Sequence, residues 1–143
     1  MTGASAMTVT SQEERLRTPL RFPAGIVGFP TAQEYTLVGS EGGLFYLDAD
    51  SPQEPSFVVV SAAVFFPDYQ PILDDATVER LELRGAEEAE VFLLVTVGVD
   101  LTDASANQFA PIVVNSRTGT AAQVVLNGQP YPLRAPLLAG RPH

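Results

Sequence analysis

The chain contains no cysteine, which removes disulfides, zinc–thiolate sites and thiol nucleophiles together. That absence suits a reducing compartment, and the cytoplasm is the expected location. Histidine is nearly as scarce: the one His is His143, the last residue, so imidazole-based acid–base chemistry has no expected carrier. Lysine is missing as well, since all eight basic residues are Arg. Long apolar runs are absent too. The longest, Val91 to Val99, is broken by Thr96 and Gly98 and followed by Asp100. It falls well short of the roughly 20 apolar residues a membrane helix needs. The first residues carry Glu13 and Glu14 without an apolar core, so no secretory signal is expected. No His-Glu-x-x-His or EF-hand pattern occurs, and Gly25 to Gly28 and Gly42-Gly43 are not followed by the Gly-Lys-Ser/Thr of a phosphate loop. No cofactor or metal is therefore expected.

What remains is the composition of a folded protein. Of its 143 residues, 45% are hydrophobic and 17% charged, which favours one globular domain over disorder. Seventeen acidic side chains against eight basic ones leave a net charge of −9. A field of that sign opposes nucleic acid, whose binding depends on neutralising phosphates with Lys and Arg. It favours a basic protein partner, although solubility alone also accounts for it. Direct nucleic-acid binding and membrane association are not expected.

Residues 1–17 read as an N-terminal tail, 18–137 as a β domain, and 138–143 as a C-terminal tail, with the chain loosening from about Ala135. Tyr35-Thr36-Leu37-Val38 and Leu44-Phe45-Tyr46-Leu47 flank Gly39 to Gly43 and predict a hairpin. Ser56 to Val60 and Val91 to Val99 predict strands, the latter long enough to bend, with a bulge at Gly98. Ile112-Val113-Val114 predicts a buried strand entered through Pro111, which cannot donate to a ladder. Gln123 to Leu126, Asn127-Gly128 and Gln129 to Tyr131 predict a second hairpin on a type I′ turn. Asp74 to Leu83 is read as a short helical turn capped by Asp74 or Asp75, with an alternating strand over Val78 to Leu83 as the alternative. The pattern predicts an all-β, single-domain, β-barrel-like fold with at most one or two short helical turns.

Candidate chemistry is sparse. Asp74-Asp75 and Glu87-Glu88 are paired carboxylates of the kind a hydrolase uses, but each lies in a polar stretch that reads as a solvated turn or cap. Tyr46, Phe65, Phe66 and Tyr69 are available to stack bases, and a small oligosaccharide- or oligonucleotide-binding barrel is an alternative function. The only basic cluster, Arg15, Arg17 and Arg21, sits near the chain's start. A protein-binding surface is the third option. Phe65-Phe66-Pro67-Asp68-Tyr69 fits it, because consecutive Phe rings cannot both point inward from one regular strand and Pro67 interrupts pairing. A corner with both rings buried is the structural alternative. Glu87, Glu88 and Glu90 form the densest acidic patch, readable as a partner face or as a solvated loop.

Ordered landmarks then resemble the FliW family of flagellar assembly factors. They are Phe22-Pro23-Ala24-Gly25-Ile26-Val27-Gly28-Phe29-Pro30, Ser56-Phe57, Phe66-Pro67-Asp68-Tyr69, Val95-Thr96-Val97, Ser105-Ala106-Asn107, Ala110-Pro111-Ile112-Val113-Val114-Asn115 and Gln123 to Leu126. The resemblance spans Leu20 to Leu137; Val27, Pro30 and Gln108 depart from the family's usual residues. It implies a non-enzymatic cytoplasmic protein that binds flagellin and antagonises CsrA, an RNA-binding translational regulator. Phe66, Asp68 and Tyr69 are the expected partner surface. Asn107 and Asn115 are expected either to fix loop backbone or to meet a partner.

Overall fold

A computed structural model describes residues 17–40, 42–50, 56–97, 99 and 103–137. Among these, nine strands form one antiparallel sheet: β1 Arg17–Arg21, β2 Glu34–Gly39, β3 Leu44–Ala49, β4 Ser56–Ser61, β5 Ala89–Thr96, β6 Ser105–Ala106, β7 Ile112–Asn115, β8 Ala121–Gln123 and β9 Ala135–Pro136. Two short helices, α1 Ala62–Phe65 and α2 Asp75–Arg80, and a 3-10 turn at Ala86–Glu88 interrupt them. This is the all-β architecture the sequence predicts.

The predicted hairpin is β2–β3, with Leu37 opposite Leu47 and Ser40 N–H donating to Leu44 C=O. The run continues β3–β4, β4–β5, β5–β7 and β7–β8. A lone parallel bridge from Arg21 to Thr120, with Arg21 N–H donating to Gly119 C=O, brings β1 beside β8. Among the described residues no ladder closes the seam, so the sheet is barrel-like without being a closed barrel. Pro19 sits in β1, where its missing N–H is harmless on an edge.

One face of all these strands meets in the first core, where Phe22, Tyr35, Leu47, Val59, Phe92 and Ile112 are buried. The opposite face of β4 and β5 forms a second core with α1, β6 and Leu137, and the opposite face of β7 and β8 forms a third with Leu73, Leu81 and Leu83, which flank α2. Burial on both faces explains why Phe92-Leu93 and Ile112-Val113-Val114 are apolar without alternation. The glycine landmark has a steric cause. Gly25 has φ +70°, and a Cβ there would lie 2.6 Å from Pro30 Cα. Phe29 N–H donates to Ile26 C=O, closing a turn with Gly28 at φ +91°.

Several expectations need correction. Gln129 N–H donates to Leu126 C=O across Asn127-Gly128, but Asn127 does not take the positive φ a type I′ turn requires. Gln123 to Leu126 and Gln129 to Tyr131 do not form a ladder. β8 is Ala121–Gln123 and pairs with β7, because Ala121 belongs in the first core while Val124 and Leu126 fill the third. The chain does not loosen at Ala135, since β9 pairs with β6 and Leu137 is buried. The predicted strand from Val91 begins two residues earlier, at Ala89, and ends at Thr96; Gly98 lies outside the described residues, as do 1–16 and 138–143. The short helical turn read within Asp74 to Leu83 is present as α2, Asp75–Arg80, with Asp74 as the cap.

Candidate partner-binding surface

β4 runs into α1 at Ala62, and the helical turn ends where Phe66 N–H donates to Ala62 C=O. Phe65, Phe66 and Tyr69 then pack against the second core, so the doubled Phe marks a corner with both rings turned inward. Tyr69 also reaches the third core. Its hydroxyl donates to Gln108 C=O at 2.6 Å, and its ring meets Tyr131 edge-on at 4.7 Å. Burial, with Tyr131 alongside, pushes the Tyr69 hydroxyl well above its ordinary pKa, so it stays a protonated donor. Asp68 is exposed between Pro67 and Tyr69. The one ion pair among the described residues is Arg117–Glu88, and Asp68 makes none with them.

The two asparagines fix backbone. Asn107 Oδ1 accepts from Phe109 N–H at 3.0 Å and Ala110 N–H at 2.9 Å, holding the turn that leads to Pro111. Asn115 is fully buried. Its Nδ2 donates to Leu81 C=O at 2.7 Å and Glu82 C=O at 3.2 Å, while Oδ1 accepts from Arg117 N–H at 2.8 Å and Thr118 N–H at 3.3 Å. It therefore ties β7 to the end of α2. Phe66, Asp68 and Tyr69 lie together at this corner, with only Asp68 exposed, and Tyr69 links the corner through Gln108 to the Asn107 turn. Asn115 lies apart from them.

The carboxylate pairs separate in the fold. Asp74 caps α2 by accepting from Thr77 N–H at 2.9 Å, and hydrogen bonding from the Thr77 side chain, then from this backbone amide, holds its carboxyl below the ordinary range. A general acid needs the opposite shift. Glu88 accepts from Arg84 N–H at 2.9 Å and pairs with Arg117 at 3.0 Å, and these contacts likewise lower its pKa. Glu90, by contrast, lies in β5 and is exposed, so the acidic patch is no single loop. Among the described residues no cluster of His, Asp and Glu could hold a metal. Of the aromatics considered for stacking, Phe65, Phe66 and Tyr69 face the core, and Tyr46 alone is markedly exposed, at 43%.

Two adjoining cavities sit beside this corner. The first, about 390 Å³, has Ala63, Pro67, Tyr69, Glu90 and Phe92 in its walls. The second, about 400 Å³, is walled by Leu73, Val78, Leu83 and Arg84. Both touch Pro71, Ala89 and Val91. The end of α2 shapes the second. Leu83 N–H donates to Val78 C=O and Glu82 N–H to Glu79 C=O, a Schellman stop with Glu82 at φ 55° where glycine is usual. Sequence reasoning missed Ala89, Val91 and Pro71 because nothing local marks where β4 stops.

The sequence model described as "FliW protein" matches residues 3–137. The flagellar assembly factor FliW of Bacillus licheniformis is 35% identical over 118 residues, 81% of this chain and 82% of that protein. The factor of the same name from Clostridioides difficile is 32% identical over 118 residues, covering 91% of its own length. A crystal structure of the flagellar assembly factor FliW superposes with a TM-score of 0.79 at 30% identity, covering 83% of this chain and 84% of that one. A match across nearly the whole described fold, in sequence and in structure, places the chain in the FliW family.

Proposed function

We propose that the protein is a flagellar assembly factor that acts by binding rather than catalysis. It holds monomeric flagellin in the cytoplasm. When flagellin is exported, the freed factor binds a CsrA-type regulator and lifts its repression of flagellin translation. The observation that carries this reading is the FliW match over residues 3–137. The net charge of −9 supports it, since an RNA-binding regulator presents a basic surface. The use of Asp74 as a helix cap, and not as a raised-pKa acid, is consistent with a binding role. No cofactor takes part.

An acidic protein docked beside an RNA site also repels phosphate through space, over about 10 Å at 0.1 M salt. The test is release of flagellin leader RNA from the regulator on addition of this protein. Release is expected at low salt, weaker at high salt, and reversed by monomeric flagellin. Failure to displace RNA at any salt contradicts the antagonist role. Displacement unchanged by salt contradicts the electrostatic mechanism.

A further inference from the structure

The chain holds three asparagines, Asn107, Asn115 and Asn127, and the fold treats them differently. Asparagine is chemically labile. It loses its side-chain amide when the main-chain nitrogen of the next residue attacks Cγ, so the state of that nitrogen decides which asparagine reacts. After Asn107, Gln108 N–H donates to Pro132 C=O at 3.0 Å, while Asn107 Oδ1 is held by the Phe109 and Ala110 amides. After Asn115, Ser116 N–H donates to Glu88 C=O at 2.8 Å, and the Asn115 side chain is buried and bonded at both ends. After Asn127 the nitrogen is free. Gly128 N–H donates to no partner among the described residues, and the Asn127 side chain bonds to none of them. Both residues are exposed.

The turn around Asn127 is also lightly held. Gly128 has φ +82° and Asn127 has no positive φ, the pattern of a type II turn. In that turn the Asn127–Gly128 peptide must rotate before its nitrogen reaches Cγ. One bond, Gln129 N–H to Leu126 C=O at 3.1 Å, closes the turn against the rotation. A Cβ at Gly128 would meet nothing within 4 Å, so the peptide has open space to move through. Glycine itself offers the least steric resistance to that movement.

We propose that Asn127 is a site of spontaneous deamidation, with the Gly128 nitrogen as nucleophile. That nitrogen gives its proton to hydroxide and bonds to Asn127 Cγ. The bond from Cγ to the side-chain nitrogen breaks, and ammonia leaves. Water then opens the cyclic imide at either carbonyl. One opening gives aspartate; the other gives isoaspartate, whose main chain is longer by a carbon. The added carbon falls between two anchored residues. Leu126 is buried in the third core. Gln129 holds Ile72 by both main-chain groups: its Oε1 accepts from Ile72 N–H at 3.0 Å, and its Nε2 donates to Ile72 C=O at 2.9 Å. Lengthening the turn displaces Gln129 and releases Ile72, on the segment that leaves the Asp68 corner.

The test ages the full chain at neutral and mildly alkaline pH, folded and in urea, and maps its peptides by mass. Replacement of NH by O should appear at Asn127 in the folded chain, at a rate that rises with hydroxide. Freeing the bonded groups at Asn107 or Asn115 breaks several hydrogen bonds, so both should lag by about tenfold or more. A chain that converts Asn127 in urea but keeps it intact when folded overturns the site. So does folded conversion led by Asn107 or Asn115. Amide exchange at Ile72 reads the consequence. It should quicken in aged protein carrying isoaspartate and keep the fresh-protein rate in Asn127→Asp, which adds the charge without the carbon. Isoaspartate protein that protects Ile72 as well as fresh protein does overturns the link through Gln129.

Discussion

Replacing Asn115 by alanine removes four hydrogen bonds at once, and the structure sets how much each matters. The Leu81 carbonyl, 2.7 Å from Nδ2, belongs to a residue only 1% exposed, so it loses its partner with little access to water. Stranding such a group costs about 2 kcal/mol. Arg117 and Thr118 are exposed turn residues, and their amides rehydrate after losing Oδ1. Their loss adds about 1 kcal/mol. Glu82 C=O keeps Arg117 Nη2 at 2.8 Å and adds little. The sum is about 3 kcal/mol, or about 10 °C in Tm for a chain of this size. Asn115→Asp separates the donor from the acceptor. It keeps Oδ1 for the turn but sets a carboxylate against the Leu81 and Glu82 carbonyls. Burial raises that acid's pKa, so its penalty is full at neutral pH and shrinks as pH falls through the folded-state pKa. Circular-dichroism melts of the three proteins from pH 7 to 5 read both effects. An Asn115→Ala melt within about 2 °C of wild type would refute the clamp.

Two further changes probe α2 and its flanks. Glu82→Gly relieves the left-handed backbone at φ 55° and should stabilise by about 0.5–1 kcal/mol, measured as a higher urea midpoint at constant slope. Asp74 and Glu88 both have carboxyls below their ordinary range in the folded state. Their contribution is present above the unfolded-state pKa and is lost as pH falls through the folded one. The melting temperature should therefore hold from pH 7 to about 5 and decline below about 4. Asp74→Asn, which still caps, should flatten part of that decline.

Much of the sheet was legible because its signals are local. β2 and β3 flank a glycine-rich loop, β4 is a β-branched run, and Asp74 sits where a cap belongs, three residues before the Thr77 amide it accepts from. The errors fall where tertiary demand overrides a local motif. Asn127-Gly128 makes its turn, but Val124 and Leu126 are drawn into the third core instead of a ladder. β6 and β9, at two residues each, have no periodicity to read and exist only through each other and β5. Phe66-Pro67-Asp68-Tyr69 was found because it breaks the pleat. The cavities beside it were not, because they form where the end of β4 meets a strand far along the chain. Asn115 looked equivalent to Asn107 in sequence; one closes its own turn, and the other reaches back 34 residues to Leu81.

The most direct test of the account is calorimetric titration of this protein with its cognate monomeric flagellin, at low and moderate salt. The account predicts saturable binding with near-equal stoichiometry at both salts. Absence of heat or saturation at either salt, with both proteins folded, would contradict it.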